Sequence, residues 1–370
     1  MFAKKSTRQH RTLRYVLIHS RCGDNNELKG SKHWIVSIDW FMLAAVLIFQ
    51  VRFFSTMLTT FEILLPIFAL ILAGYLCRKR RIMGPTAASE LNKMVVWLAL
   101  PALLFDVMAH ATWAQMDQPA FILAFTLVSV GIFAVVLAWR LRAGRHLADA
   151  SIDAIAAAYP NTAYIGLPLG MVLYGVQSRT PVTIATIIVA CVLFAGAIVL
   201  IEIGVQTERH PAKLAGKVLK SLAKNPLIVS PIAGGLVAAA HVSMPQSAEM
   251  FLKLLGEAAS PCALISLGLF LAEDRPSSRL QPTTVALAAL KLIIQPLLAF
   301  WLASRWLGMS GDILGITVLL SALPTGTGPF MLAEFYKREA VITSQVILLT
   351  TVCSLLTLTV MLVLTGHVPH

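Results

Sequence analysis

Charged residues are scarce in this sequence. Of its 370 residues, 13% are charged and 57% are hydrophobic, and the mean hydropathy is +0.77. Soluble proteins contain about 25% charged residues, because their surfaces face water. A chain with about half that share cannot cover a water-exposed surface of ordinary composition. The composition therefore excludes an ordinary soluble protein and predicts a membrane protein that crosses the bilayer several times.

Motifs for catalysis, ATP hydrolysis and metal binding are also missing. The nine histidines form no HExxH pair, and the sequence has neither a GxSxG nucleophile elbow nor a phosphate-binding GxxxxGK[ST] loop. The five cysteines are scattered and have no CxxC spacing, which argues against a disulfide framework or a structural metal site. We therefore expect neither an enzyme nor an ATP-driven pump, and no catalytic residue, cofactor or metal.

The sequence is rich in apolar runs as long as a membrane helix. About 20 apolar residues cross the roughly 30 Å hydrocarbon core of a bilayer. We predict an all-α polytopic membrane protein with ten transmembrane helices. The predicted spans lie near residues 57–77, 93–110, 119–140, 151–175, 180–203, 225–242, 250–272, 282–306, 311–335 and 341–365.

Lys and Arg are distributed unequally among the predicted loops. Those in the loops after spans 1, 3, 5, 7 and 9 are Arg78, Lys79, Arg80, Arg81, Arg140, Arg142, Arg145, Arg209, Lys213, Lys217, Lys220, Lys224, Arg275, Arg279, Lys337 and Arg338. The other loops contribute only Arg179 and Arg305. By the positive-inside rule, the odd-numbered loops are cytoplasmic and both ends of the ten-span body face outward. The positive charge therefore reflects topology, and we expect no nucleic-acid partner.

Residues 1–56 form a separate basic extension. They carry half of the net charge of +12 and contain an apolar run from Trp34 to Val51. This run could be an additional spanning helix, an interfacial helix or an uncleaved signal-like segment. Asp39 within it would be costly in lipid, and the ten-span body needs no extension. We therefore favour the interpretation that the gene model starts too far upstream and that Met57 is the working initiator.

Two predicted spans contain prolines and glycines that break a helix. The stretch AYPNTAYIGLPLGMVLYG runs from Ala158 to Gly175 in span 4, and ALPTGTGPFMLAEFY runs from Ala322 to Tyr336 in span 9. An unsatisfied backbone group in hydrocarbon costs several kcal/mol, so a break at membrane depth is tolerated only inside protein or beside a polar cavity. Paired breaks in two halves of a chain indicate the substrate site of a transporter.

The two halves of the chain correspond to each other. A first set of five spans (57–203) is followed by a basic cytoplasmic linker (204–224) and a second set of five (225–366). An odd number of spans per repeat inserts the second copy upside down, the inverted-repeat plan of many secondary transporters. The Leu100-Pro101 step of span 2 has a counterpart in the Ser260-Pro261 step of span 7.

These motifs carry a family resemblance. They are Tyr159-Pro160-Asn161-Thr162, Gly166-Leu167-Pro168-Leu169, Tyr174-Gly175, Leu323-Pro324, Gly328-Pro329-Phe330, Leu100-Pro101-Ala102-Leu103-Leu104-Phe105 and Ser266-Leu267-Gly268-Leu269-Phe270. In this order they resemble helices 4, 9, 2 and 7 of the auxin efflux carrier family, and the match covers Met57 to Gly366.

The resemblance implies two inverted five-helix repeats, with a scaffold domain and a transport domain. It further implies that broken crossover helices 4 and 9 meet near mid-membrane and that organic anions move by an elevator-like mechanism in a bacterial inner membrane, with malonate, malate or similar carboxylates as substrates. A homodimer is expected by analogy. Plant members have a long hydrophilic central loop and a pair of oppositely charged residues on helix 3. This sequence lacks the loop and has no charge from Phe121 to Ala138, which makes auxin itself a doubtful substrate.

The chemistry of the breaks favours a carboxylate ligand. Where each broken helix resumes, it presents free N–H groups and the positive end of its dipole. Amide and hydroxyl side chains supply neutral hydrogen-bonding groups, and glycines could let a ligand approach the backbone. The candidate substrate-binding residues are Pro160, Asn161, Thr162, Gly166, Pro168, Pro324, Thr325, Gly326, Thr327, Gly328 and Pro329. The alternative for Asn161 is that its side chain only satisfies carbonyls freed by Pro160.

Two ionisable residues within predicted spans are further candidates. Lys291 in span 8 could attract an anion, pair with a carboxylate or snorkel to the interface. Asp106, one turn beyond Pro101, could take part in coupling to sodium or protons, or could simply lie near the membrane face. We favour a secondary carrier of small organic anions. The alternative is a membrane sensor that binds the same anion without moving it, although the short loops leave no room for a signalling domain.

Overall fold

The computed structural model describes residues 30–111, 117–207, 210–273 and 280–365. In these ranges every extended regular element is a helix. The helices are α1 (Gly30–Lys79), α2 (Ala87–Ala109), α3 (Pro119–Arg142), α4 (Leu147–Ala158), α5 (Thr162–Val205), α6 (Pro211–Leu222), α7 (Pro226–Ala239), α8 (Gln246–Leu271), α9 (Pro282–Trp306), α10 (Gly311–Ala322), α11 (Gly328–Phe335) and α12 (Val341–Thr365).

The chain divides into two compact units, Met1–Gln50 and Val51–His370. The apolar run predicted at 34–51 is helical and belongs to α1, whereas residues 1–29 lie outside the described residues. The predicted linker 204–224 contains an additional helix, α6. The packing and the site described below lie within the second unit.

The all-α membrane prediction is confirmed. Seven helices in the described ranges are long and apolar enough to cross a membrane, and an eighth span results if α6 and α7, which meet at 70°, are counted together. This number is below the ten predicted because α5, which covers predicted span 5 and half of predicted span 4, counts once, and because α7, α10 and α11 have only 14, 12 and 8 residues. At about 1.5 Å per residue, each of these three covers only part of the hydrocarbon core.

The long helix α5 folds back on itself. The hydroxyl groups of Thr162 and Thr186 are 3.0 Å apart, although a straight helix would separate residues that far apart in the chain by about 36 Å. The reversal occurs at the 3₁₀ turn Gly175–Ser178, where Gly175 has φ +67°. Glycine adopts this left-handed conformation without a steric penalty. The two arms of α5 correspond to the second half of predicted span 4 and to predicted span 5.

Proline determines where three of these helices widen. In each case a π-helical turn ends two residues before a proline: Val95–Ala99 before Pro101, Thr162–Gly166 before Pro168, and Leu290–Ile294 before Pro296. Proline has no N–H, and its ring clashes with the carbonyl four residues earlier. A wider turn relieves that clash without ending the helix.

The helices of the second unit pack in two groups. In the first group, α7 lies along the second half of α2, and the part of α1 after residue 51 lies along α8. A Cβ at Gly234 would lie 2.3 Å from the carbonyl oxygen of Phe105, and one at Gly268 would lie 2.0 Å from that of Ile71. Such close backbone approach through small residues is typical of membrane helix pairs.

The second group contains α3, α4, α5, α9, α10, α11 and α12. Its centre is α4, in which residues 150–158 are all buried. A helix that is buried all round must be surrounded by other helices. This group carries both helix breaks, the first between α4 and α5 and the second between α10 and α11.

Candidate functional site

The two helix breaks lie side by side and are joined by backbone hydrogen bonds. Asn161 donates its N–H to the carbonyl of Pro324 at 2.9 Å, and Gly326 donates its N–H to the carbonyl of Tyr159 at 3.0 Å. The two bonds form an isolated antiparallel bridge, of the kind that joins two β-strands. The breaks therefore satisfy part of each other's backbone, as buried polar groups in a membrane must.

The bridged segments 159–161 and 324–326 form the crossing of the two breaks. Thr325 bonds this crossing to two neighbouring helices. Its hydroxyl donates to the carbonyl of Ala156 at 2.9 Å, and its backbone N–H donates to the hydroxyl oxygen of Thr350 at 3.1 Å. Ala156 is four residues before Pro160, so its carbonyl is the one that loses its helical partner because proline has no N–H. Thr325, predicted to bind substrate, thus has a structural contact in this position.

A cavity of about 50 Å³ lies against the crossing. One part of the lining consists of residues of the two breaks, α5 and α11, and the other part consists of apolar residues of α2 together with the start of the second half of α8. Its lining residues are Leu100, Leu103, Leu104, Val107, Tyr159, Pro160, Asn161, Thr162, Ala163, Tyr164, Thr186, Val189, Ala190, Ala259, Ser260, Gly326, Thr327 and Met331. Neither an acidic nor a basic side chain is among them.

Five of the predicted substrate-binding residues meet at this cavity: Pro160, Asn161, Thr162, Gly326 and Thr327. The others do not line it. They are Gly166, Pro168, Pro324, Thr325, Gly328 and Pro329. Gly166 faces α10, since a Cβ there would lie 3.1 Å from the side chain of Leu320, and Pro168 is exposed on the outside of α5.

The glycines of the second break have a different role from the predicted one. We expected them to let a ligand approach the backbone, but the ring of Tyr159 occupies that space. A Cβ at Gly326 or at Gly328 would lie 2.8 Å from ring atoms of Tyr159. The ring also packs against that of Phe194, with 5.9 Å between the centroids. Glycine at both positions allows an aromatic side chain to cover the break.

Asn161 stands at the N-cap of α5 and is only 8% exposed. Its side chain makes no capping hydrogen bond to the turn that follows. The carbonyl freed by Pro160 belongs to Ala156 and is satisfied by Thr325. The alternative role of Asn161, satisfying that carbonyl, therefore has no support, and its amide remains available to the cavity.

Thr162 is connected to the returning arm of α5. Its hydroxyl is 3.0 Å from that of Thr186, which is also 2.8 Å from the carbonyl oxygen of Val182. A hydroxyl has one proton, so Thr186 donates to Val182 and accepts from Thr162. The proton of the Thr162 hydroxyl is then engaged, so this group can accept a hydrogen bond from a ligand but cannot donate one.

Several lining residues were missed by sequence reasoning. Tyr159 and Tyr164 flank Asn161 within the broken span, and Ser260 belongs to the Ser-Pro step that was matched to span 2. These three could have been found from the motifs. Thr186 and Met331 have no local signal, because only the fold-back of α5 and the crossing bring them to the cavity.

The two ionisable candidates lie away from the cavity. Asp106 is near the end of α2, where its carboxylate, 31% exposed, is 3.2 Å from Nδ1 of His110. Lys291 is 0% exposed in α9, and its Nζ donates to the carbonyl oxygen of Ser321 at 2.8 Å. Lys291 therefore does not snorkel to the interface.

Comparisons with known proteins agree with the fold and with the motifs. The family model described as "Membrane transport protein" matches residues 59–362. A Rhizobium meliloti (strain 1021) protein named "Putative malonate transporter" is 31% identical over 307 residues, which cover 82% of this chain and 94% of the relative.

More distant relatives come from bacteria and plants. "Uncharacterized transporter YfdV" of Escherichia coli (strain K12) is 28% identical over 287 residues, covering 74% of this chain and 87% of that protein. "Auxin efflux carrier component 5" of Arabidopsis thaliana is 23% identical over 309 residues, covering 74% and 88%. The resemblance read from the motifs is thus confirmed, and the chain belongs to the membrane transport protein family that includes the auxin efflux carriers.

Proposed function

We propose that this protein is a secondary transporter that moves small mono- or dicarboxylates, such as malonate or malate, through the crossing of its two broken helices. The observation that carries the proposal is the shared cavity of the two breaks. It is lined by the first residues of α5 and by the residues that precede α11. Both helices therefore start beside the same small space.

The electrostatics of this space suit an anion. The first turn of a helix has N–H groups without intrahelical partners and carries the positive end of the helix dipole. The amide of Asn161 and the hydroxyl of Thr327 can donate to a carboxylate, and no acidic side chain in the lining opposes it. With no basic side chain there either, these neutral groups would provide the affinity.

An elevator-type movement is proposed because the two helix groups that line the cavity must move relative to each other before a substrate fits. The cavity has room for only a few water molecules, since one water needs about 10–15 Å³. A dicarboxylate requires the two parts of the lining to separate. One part belongs to the group of α2 and α8 and the other to the group with the crossing, so a displacement of one group against the other would open the site.

We further propose the ten-helix inverted repeat for this chain. The two arms of α5 would be separate spans, and each pair α4–α5 and α10–α11 would form one broken span. The close backbone contacts have matching partners, because the contact of span 1 with span 7 at Gly268 corresponds to that of span 6 with span 2 at Gly234. A two-fold relation between the halves would produce such exchanged pairs.

Contacts between loops support the alternation of faces that this topology requires. The loop after span 3 contacts the loop after span 9, which also contacts the end of span 5, and the loop after span 4 contacts the start of span 9. The bonds are Arg145 to Glu339 at 2.5 Å, Tyr336 to Glu202 at 2.7 Å, and Gln177 to Asp312 at 2.6 Å. With the positive-inside rule, the first face would be cytoplasmic and both ends of the ten-span body outside. The bacterial relatives favour an inner membrane, and a homodimer is proposed by family analogy.

Flux through the purified protein tests the proposal. We would measure uptake of labelled malonate, malate and indole-3-acetate into proteoliposomes, with and without sodium or proton gradients. Saturable uptake of one acid, with an affinity about 10- to 150-fold lower in Asn161→Ala, is expected, since a hydrogen bond to a charged group contributes about 1.5–3 kcal/mol.

Gln246→Ala is the matched control, because it removes an exposed amide at the start of α8, away from the cavity. Unchanged affinity in a folded Asn161→Ala variant would remove Asn161 from the site. Binding without flux would favour the sensor.

A further inference from the structure

Lys291 has no role in the proposed binding of substrate, yet its position is unusual. It lies in the π-helical turn Leu290–Ile294 and is completely buried. The turn packs against α4, α10 and α12. A lysine is almost never fully buried without a pairing group, and π-helical turns are frequent at functional sites.

The contact of Lys291 is at the C-terminal end of a half-helix. Ser321 is the residue before the last in α10, and its carbonyl oxygen accepts from Nζ of Lys291 at 2.8 Å. In an unbroken helix this carbonyl would accept from the N–H of Thr325, which instead donates to Thr350. The end of α10 also carries the negative end of the helix dipole.

A neutral donor is sufficient for a freed carbonyl at the other break. There the freed carbonyl of Ala156 accepts from the hydroxyl of Thr325. Lys291 at the carbonyl of Ser321 adds to such a hydrogen bond a group that can carry a positive charge. The two contacts thus differ by one ionisable group.

No carboxylate of the elements that pack on the turn is paired with Lys291. The elements packed on the turn, and α9 itself, contain three acidic residues in all, Asp149, Asp153 and Asp312. The two in α4 contact arginines, Arg338 and Arg140, and Asp312 contacts Gln177. The acceptors around Lys291 are thus neutral oxygens.

A second buried oxygen lies one turn further along α9, where it makes no hydrogen bond to Lys291. Oε1 of Gln295 is buried without a hydrogen-bond partner in the described part of the chain, and Gln295 itself is 0% exposed. Its amide nitrogen lies 3.4 Å from the hydroxyl oxygen of Ser129. Neutral oxygens at the C-terminal end of a half-helix are the ligands that coordinate the coupling sodium ion in transporters with broken helices.

We propose that the ammonium of Lys291 takes the place of a coupling sodium ion at the end of α10. The protein thus carries its own cation at this position, and neither its stability nor its transport depends on sodium. This inference rests on the proposed transport function. It goes beyond it by specifying which ion the carrier does not use and which residue replaces that ion.

The first test measures stability and does not need transport. The Tm of the purified wild-type protein in detergent should be the same in sodium and in choline chloride. Lys291→Ala should have a lower Tm that rises saturably with sodium or with methylammonium, because a cation that binds only the folded state stabilises it by mass action. Lys93→Ala is the matched control, since that ammonium is on the surface of α2 beside Glu90 and its loss should create no response to cations.

The second test uses uptake of the transported acid into proteoliposomes. Wild-type uptake should be equal in sodium and choline, and that of Lys291→Ala should be lost in choline and partly restored by sodium. A wild-type protein that sodium stabilises or activates would overturn the inference, and so would a folded Lys291→Ala variant without any cation response. If Lys291→Ala does not fold, Lys291→Met, which keeps the length of the side chain, replaces it under the same criteria. Absence of flux in every variant would contradict the transport proposal alone, because the Tm measurement still decides the role of Lys291.

Discussion

The ring of Tyr159 lies directly over the backbone of Gly326, so that a Cβ at position 326 would be 2.8 Å from ring atom Cε1. The same two residues share the hydrogen bond from the N–H of Gly326 to the carbonyl of Tyr159. A side chain at position 326 would therefore push apart the ring and the bridge that joins the two breaks.

We expect Gly326→Ala to lower the free energy of unfolding by about 1–3 kcal/mol, the usual cost of overpacking a well-packed site. Uptake of the transported acid should fall as well, because the break lines the cavity. Thermal unfolding in detergent measures the first effect and proteoliposome uptake the second.

The control for this substitution is Gly216→Ala in α6, where an added Cβ would meet nothing within 4 Å. This change should stabilise the helix by up to about 1 kcal/mol, because alanine has the higher helix propensity. Equal Tm values for Gly326→Ala and the wild type would contradict the prediction, because they would show that the crossing accommodates an added methyl group without strain.

The pair Arg140–Asp153 joins α3 to α4 inside the protein. Nε of Arg140 is 2.8 Å from Oδ2 of Asp153, and the two residues are 8% and 2% exposed. Removing one partner leaves a buried charge uncompensated, so we expect Asp153→Asn to destabilise the fold by about 3–5 kcal/mol. Denaturant unfolding of the solubilised protein measures the loss.

An exposed pair provides the comparison for that measurement. Glu90 and Lys93 lie 2.7 Å apart on α2 with side chains about 60% exposed, and Glu90→Gln should change stability by less than about 1 kcal/mol. A loss in Asp153→Asn no larger than that of Glu90→Gln would mean that Arg140 finds another partner or reaches water.

The stability of the loop region around Asp149 should depend on pH. Asp149 precedes the predicted span 151–175 and accepts hydrogen bonds of 2.7 and 2.5 Å from Arg338. Burial by itself raises the pKa of Asp149, but the bonds and positive charges of Arg338, with Arg145, outweigh it and hold the pKa below its ordinary value. A carboxylate with a lowered pKa stabilises the fold above its unfolded pKa, and this contribution is lost as the pH falls through the folded pKa.

Arg338→Gln measures this effect. The free energy of unfolding of the wild type should exceed that of the variant by an amount on the order of 1 kcal/mol. This difference should be constant down to about pH 5 and should shrink below about pH 4, where the carboxylate becomes protonated first in the unfolded and then in the folded chain. A difference that grows on acidification would contradict the assigned direction.

The proposed topology can be tested by labelling single cysteines. In a chain whose native cysteines are replaced by serine, Val176→Cys should react with a membrane-impermeant maleimide added to intact cells. Lys337→Cys should react only after the membrane is opened. Both positions are exposed in the structure, so reactivity reports the side of the membrane. The reverse pattern would invert the topology, and labelling of both positions from outside would contradict the alternation of faces.

The sequence by itself determined that the protein lies in a membrane and where its helices are broken or distorted. A low share of charge and long apolar runs require a membrane, because such a surface is unstable in water. Pro101, Pro160, Pro168 and Pro296 disturb their helices wherever those helices pack, because the missing N–H and the ring clash are local effects. The motifs around these prolines were also sufficient to indicate the family.

Only the tertiary structure decided which groups meet at the breaks. The partners of Asn161, Thr325 and Lys291 are more than 25 residues away in the chain or on another helix, and local patterns of hydrophobicity contain no information about them. The sequence suggested that glycines would expose backbone to a ligand, whereas packing covers them with Tyr159. In a membrane every freed carbonyl needs a donor, and the sequence supplies many candidates. Helix packing determines that Thr325 donates to the carbonyl of Ala156 and that Lys291 donates to the carbonyl of Ser321.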